Sequence, residues 1–304
     1  MREIDGVRRF SHEAMATVFE IYGAHTDERY AAQAAQAAFD LVDRLEHELS
    51  RFIPNSDVAR VNRLRAGEGA KVSASTMECL VIARHMFDLT GGAFDVSIGT
   101  GLTSLVLDEG DYRVLATTSG VEIDLGGIGK GYAVDVMAER LEEWGLAQAL
   151  VHGGFSSMLA LDPPTGHDGW PLTLSDPRRP SRVLTRLSAH QTSLGASGVQ
   201  KGDHIVDPRT GEPSRGRIAA WVTVPRRDVA GADASADPTH RVAAAAVSDA
   251  LATACMLLTE EEITGLCAGN PALEVWILPE SSSGAHETAE ILHFGGPAAS
   301  RTRT

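Results

Sequence analysis

Along MATVFEIYG (15–23) apolar and polar residues alternate, the two-residue period of a strand with one buried face. The period then lengthens. In DERYAAQAAQAAFDLVDRLEHELSRF (27–52) apolar residues recur at helical spacing, which predicts a long helix broken by Pro54, Asn55 and Ser56. SASTMECLVIARHMFDLTGG (73–92) predicts a second helix, with serine and threonine at its start and a Gly-Gly stop. VEID (121–124) reads as a short strand running into Gly126 and Gly127. KGYAVDVMAERLEEWG (130–145) reads as a helix with Ala133, Met137, Leu141 and Trp144 on one face and Gly145 as its C-terminal cap.

The next hundred residues change character. AQALVHGG, SSMLAL, WPLTLSD, SRVLTRLSA, QTSLGAS and IAAWVTVP are short, β-leaning and separated by Gly, Pro and Asp. Such spacing predicts an antiparallel sheet, not βαβ units. RRDVAGADASADPTH (226–240) predicts a mobile polar loop, RVAAAAVSDALATACMLLTEEE (241–262) one helix, and ALEVWIL (272–278) a closing strand. With no internal repeat and no linker, residues 1–294 are expected to form a single α+β domain, and 295–304 a disordered tail.

Bulk properties narrow the partners. The chain has 304 residues, 43% hydrophobic and 22% charged, within the range of soluble globular proteins. Its net charge of -14 argues against nucleic acid or an anionic membrane surface as the main partner. An anionic ligand would need local help from a metal ion, a helix N-terminus or a lysine. Cys79, Cys255 and Cys267 have neither CxxC nor CxxxC spacing and read as buried reduced thiols. The N-terminus shows no apolar signal-peptide core or lipoprotein-type cysteine, and no 18-residue apolar run exists. A cytoplasmic protein without membrane insertion is the expectation. HExxH, HxH and GxSxG are absent, so zinc and serine hydrolases lack their usual signals.

Three stretches bear chemistry of their own. DHIVDPRTGEP (203–213) leaves a short β segment at His204, Ile205 and Val206 and enters a tight reversal at Asp207-Pro208 and Thr210-Gly211. IDLGGIGKGYAVD (123–135) is a glycine turn leading into a helix, a place where backbone N–H groups and the helix dipole suit a phosphate. Walker A and GxGxxG both fail here, because Gly131 follows Lys130 and Tyr132 stands at the third glycine. Tight strand–helix packing is the other reading of these glycines. In SDALATA (248–254), Asp249 and Thr253 share a helix face, with Val247, Leu251, Ala254 and Leu258 opposite and packing inward. A carboxylate with a hydroxyl suits Mg²⁺ completed by water and substrate phosphates. A threonine-capped surface aspartate is the alternative.

Together with LSRFIPNSDVARVN (49–62), TGGAFDVSIG (90–99), ALVHGG and GASG, these stretches resemble, in order, the ApbE-type FAD:protein FMN transferases over roughly residues 15 to 260. The resemblance implies a two-lobed α+β fold, mostly antiparallel sheet with packed helices, holding FAD in the cleft between lobes. It implies flavin-cleft roles for Met15, Phe52, Ala93, Phe94 and Asp95, and dinucleotide contacts for Asp124 and Lys130. The Gly127 carbonyl, Asp249 and Thr253 match the Mg²⁺ site, where Mn²⁺ could substitute. His204 matches the histidine of the transfer step, with Ile205 beside the flavin. The implied reaction moves FMN from FAD to a Ser/Thr hydroxyl of an acceptor flavoprotein carrying a flavinylation motif, and releases AMP. Two positions depart from the pattern. Phe155 stands in Gly153-Gly154-Phe155 where the family usually has Asp, and Ala196 stands in Ala196-Ser197-Gly198 where it usually has Thr. Both remove a polar group beside the expected ligand. Mg²⁺-dependent FAD hydrolysis to FMN and AMP, and FAD binding without catalysis, stay open.

Overall fold

A computed structural model describes residues 4–199, 205–226, 243–280 and 290–296. An eight-stranded sheet forms its framework, in the order β1 (Val7–Ala14), β2 (Thr17–Ala24), β6 (Ala149–Gly153), β7 (Ser157–Ala160), β10 (Thr192–Gly198), β11 (Arg217–Pro225), β12 (Glu274–Pro279) and β13 (Leu292–Gly295). Every neighbouring pair is antiparallel, as the short, turn-punctuated segments predict.

Both faces of this sheet are covered, and the side-chain alternation shows by what. Ala220 and Val222 of β11, with Val275 and Ile277 of β12, join a core shared with α1 (Glu28–Leu49), α4 (Gly129–Glu143) and α5 (Ala244–Ala254). Ala219, Trp221, Trp276 and Leu278 point the other way, under a ribbon of β8 (Trp170–Asp176) and β9 (Arg179–Ala189). Burial on both sides is why IAAWVTVP is apolar at neighbouring positions, with Thr223 its one polar residue, instead of alternating. A smaller three-stranded sheet, β3 (Gly69–Lys71), β5 (Arg113–Ala116) and β4 (Leu105–Asp108), lies with α2 (Asp57–Val61) and α3 (Ala74–Leu89) in the second lobe. The final helix, α6 (Glu260–Gly269), packs on β12 and β13.

Helix starts follow their caps. The Asp27 side chain accepts the Tyr30 N–H of α1, and Ser73 accepts the Thr76 N–H of α3. In α4, Ala133, Met137 and Leu141 are buried as their spacing requires. Trp144 is half-buried against Tyr30, and Gly145 turns the chain out at φ 70°.

Two expectations are corrected. VEID is not a strand: residues 121–124 are extended but pair with no ladder. The Asn62 side chain takes the ladder's place, accepting the Ile123 N–H at 2.7 Å and donating to its carbonyl at 2.9 Å. The helix expected over 241–262 is two helices. The first ends at Ala254 with Cys255 as its C-cap, and after a short turn Thr259 opens α6 with a capping box closed by Glu262. Residues 227–240 of the polar loop and 297–304 of the tail lie outside the described residues, while β13 runs to Gly295.

Candidate active site

Several segments far apart in sequence meet at one end of the large sheet. The β1–β2 connection is the two-residue turn Met15-Ala16, with φ of 49° and 56°. Non-glycine residues in the left-handed region are strained, and the hairpin here holds two in succession. The neighbouring β6–β7 turn begins with Gly154, whose N–H donates to the Val18 carbonyl at 2.8 Å. The end of β10 follows, bringing Ser197 Oγ within 3.1 Å of Thr253 Oγ1 on α5.

Behind these turns stands the glycine-rich stretch. Asp124 Oδ1 accepts the Gly126 N–H at 2.9 Å, closing a single 3₁₀ turn over Leu125–Gly127, and α4 starts at Gly129. A side chain at Gly127 would lie 3.2 Å from Phe94 Cε2 and 3.8 Å from Thr253 Oγ1, so this backbone passes between the two. At Gly131 a Cβ would sit 2.3 Å from the Ala245 carbonyl oxygen. The packing reading of the glycines is therefore satisfied at Gly131, and the turn still presents the N-terminus of α4.

Asp249 lies at the centre. It is 3% exposed, which corrects the expectation that it faces away from the packed side of its helix. Helix α5 is enclosed by α4 and by β10 and β11, so apolar and acidic positions alike are covered. Asp249 Oδ2 accepts the Gly131 N–H at 3.2 Å and stands 3.8 Å from Lys130 Nζ. Burial pushes its carboxyl above the usual range, while Lys130, Ser157 and the Gly131 N–H draw it back. Lys130 Nζ also donates to the Gly126 carbonyl at 2.8 Å, which holds the ammonium over the turn. A desolvated carboxylate that leans on one lysine at this distance is short of positive charge.

The remaining expected residues divide. Phe52 is 80% exposed, with the Arg51 guanidinium 4.8 Å above its ring, and Arg51 also pairs with Asp124 at 3.2 Å. Ala93 and Phe94 are buried, and Met15 is partly buried against the core. Asp95 spends its carboxylate on its own loop, accepting Ser97 N–H, Ser97 Oγ–H and Gly99 N–H at 2.7, 2.7 and 2.9 Å. Ile205 is buried, and its carbonyl accepts the Ser214 N–H. The reversal after it forms as predicted: Asp207 accepts the Gly211 N–H at 2.7 Å and Val206 bridges Pro213. A Cβ on Gly99 would meet the Pro208 carbonyl at 3.1 Å, so this turn abuts the loop that follows Phe94. His204 itself lies outside the described residues. Of the two departures, Phe155 is 98% exposed on the β6–β7 turn, and Ala196 pairs with Trp221 in the ladder.

Sequence reasoning missed Ser157, which is fully buried and hydrogen-bonded to Asp249, and Arg51, the partner of Asp124. Neither lies in a chemistry-bearing pattern of its own. Ser157 was legible only as one polar position in a β segment.

Cavities of about 460 Å³, beside Cys267 and His293, and about 420 Å³, beside Tyr132 and Val247, lie away from this sheet end. The site rests on its donor chemistry and not on enclosed volume. Among the described residues no three His, Cys, Asp or Glu side chains cluster as metal ligands. A hard divalent ion would have to use one carboxylate, neutral oxygens and the oxygens of a bound phosphate. Asp249, Thr253 and the Gly127 backbone are that kind of set, and the residues fit Mg²⁺.

Comparison with known proteins bears on the family and the fold. The chain is 22% identical over 289 residues to the FAD:protein FMN transferase of Vibrio cholerae, covering 82% of this chain and 80% of the relative. It is 24% identical over 243 residues to the protein of that name from Salmonella typhimurium, covering 66% and 69%. The apo form of the Pseudomonas stutzeri flavinyl transferase ApbE shares the fold with a TM-score of 0.77 at 21% identity, covering 95% of this chain and 94% of that one. The apbe protein of Thermotoga maritima superposes with a TM-score of 0.76 at 22% identity, covering 95% and 97%. The model of the ApbE family matches residues 15–105 and 100–240, and the chain belongs to that family.

Proposed function

We propose that this protein transfers FMN from FAD to a serine or threonine hydroxyl of an acceptor flavoprotein, with release of AMP and dependence on Mg²⁺ or Mn²⁺. One observation carries the reading: the buried, charge-deficient Asp249 carboxylate stands beside Lys130, Thr253 and the N-terminus of α4. That is an arrangement suited to a phosphate-bound cation. Relatives named FAD:protein FMN transferase supply the substrate class.

Asp249, Thr253 and the Gly127 carbonyl would hold the ion, which when bound would neutralise pyrophosphate charge and so favour departure of AMP. Lys130 and the first amides of α4 orient the pyrophosphate on the same side. Arg51 holds Asp124 in place at the opening of the turn, and Phe52 offers an exposed ring to an aromatic ligand. The acceptor hydroxyl forms a new P–O bond to the flavin-side phosphorus as the bond to AMP breaks. His204 takes the hydroxyl proton, because imidazole titrates near the working pH.

Incubation with FAD and Mg²⁺, with and without acceptor, tests the reading. Flavin retained on denatured acceptor supports transfer. Free FMN formed without acceptor replaces it with hydrolysis, and intact FAD replaces it with storage.

A further inference from the structure

Helix α5 carries both Asp249 and Thr253 but lacks a side-chain cap of its own, because its N-cap residue is Ala243. The cap is borrowed. Asp135 reaches across from α4, its Oδ1 accepting the Ala245 N–H at 2.9 Å and its Oδ2 the Ala246 N–H at 2.8 Å. Asp135 is 1% exposed. Burial pushes its carboxyl well above the usual range, and the two amides and Arg226 oppose that push while Glu139 adds to it.

This contact has a counterpart. Four residues before Asp135 on α4, the Gly131 N–H donates to Asp249, which itself lies four residues after Ala245 on α5. Four residues are about one helical turn, so each helix presents amides and, one turn on, a carboxylate. Asp135 is bound by two amides of α5, and Asp249 by one amide of α4. The glycines set the depth of the contact, since a Cβ at Gly131 or Gly195 would fall 2.3 Å or 2.0 Å from α5 carbonyl oxygens. Ser193 Oγ also donates to the Ala244 carbonyl at 2.8 Å. The axial position of α5 is thus set at its first turn, one turn before Asp249 and two before Thr253.

We propose that Asp135 is a positioning residue for transfer: by capping α5 it sets where Asp249 and Thr253 stand against Lys130 and Gly131. The inference rests on the metal-site reading above. A cap that served stability alone would lower the melting temperature and leave ion binding unchanged.

The test measures Mn²⁺ binding to the FAD-loaded protein, from the loss of the free-ion electron paramagnetic resonance signal, together with melting temperature and transfer rate. Asp135→Asn, nearly isosteric, is compared with Leu266→Ala, a packing control in α6 that touches no part of the site. Asp135→Asn should weaken Mn²⁺ binding about tenfold, as loss of a residue that orients a metal ligand does. Leu266→Ala should leave binding unchanged at a comparable loss of melting temperature. If Asp135→Asn does not fold, Asp135→Ser carries the comparison, since its short hydroxyl cannot accept from both the Ala245 and Ala246 amides. Wild-type Mn²⁺ affinity in a folded variant, with binding abolished by Asp249→Asn, overturns the positioning role alone. Wild-type affinity in Asp249→Asn as well overturns the metal reading beneath it.

Discussion

Asp249 shows how one residue divides stability from function. Burying a carboxylate costs free energy unless charge is returned to it, and among the described residues the cation that pairs with Asp249 is Lys130, at 3.8 Å. Asp249→Asn should therefore leave the melting temperature of the ion-free protein unchanged or higher while abolishing transfer. Excess Mg²⁺ with FAD should stabilise the wild type and not the variant; a variant that transfers normally sinks the assignment. Thr253→Val should do less harm, because a neutral hydroxyl contributes less than a carboxylate. Asp57 behaves in the opposite sense. Burial pushes its carboxyl up, but the Ser73 N–H and the side chains of Arg60, Ser73 and Thr76 outweigh burial and hold it below its ordinary value of 3.8. Its contribution is present above that ordinary value and is lost as pH falls through the lower folded one. Asp57→Asn should accordingly flatten the stability profile below about pH 4, a change that denaturant titration over pH would reveal.

At the scale of elements, what was legible is what a short window contains. Asp27 and Ser73 mark helix starts, Gly145 a helix end, and IAAWVTVP an antiparallel strand. VEID misled because its backbone partner is the Asn62 side chain, 61 positions away from Ile123. The split between α5 and α6 was written in Thr259 and Glu262, but the apolar run across it masked the capping box. The burial of Asp249 was not legible at all. Periodicity assigns a helix one inner face, whereas α5 is packed from several sides. That packing makes its own prediction. Gly195→Ala would drive a methyl toward the Ser248 carbonyl, so it should cost about 1–3 kcal/mol and displace α5. The loss of transfer should exceed that of a surface Gly265→Ala control, where nothing lies within 4 Å. Equal activities of the two would show that α5 tolerates displacement.

At the scale of the molecule, the candidate site exists only when distant segments assemble. Residues near 15, 52, 94, 127, 155, 197 and 249 come from both lobes, and a single core runs beneath most of them. The resemblance of short motifs in order pointed to these segments, but no motif alone states that Ser197 meets Thr253 or that Gly127 passes beside Phe94. Ligand that binds across such a site stabilises the whole chain and not one lobe, because unfolding either part releases it. FAD at a hundred times the dissociation constant it has in the presence of Mg²⁺ should add about 2.7 kcal/mol, or roughly 4 °C in melting temperature, to one cooperative transition. Chelation of the ion should return part of that shift. Two calorimetric transitions, only one of which moves with ligand, would confine the site to a single lobe and remove the shared-cleft reading. The Asp124→Ala variant supplies the control. It severs the Arg51 pair and the Gly126 turn, so FAD affinity should fall by more than about threefold, or roughly 0.7 kcal/mol, and the shift should shrink with it. An undiminished shift in that variant would place the dinucleotide elsewhere on the molecule, whatever the number of transitions.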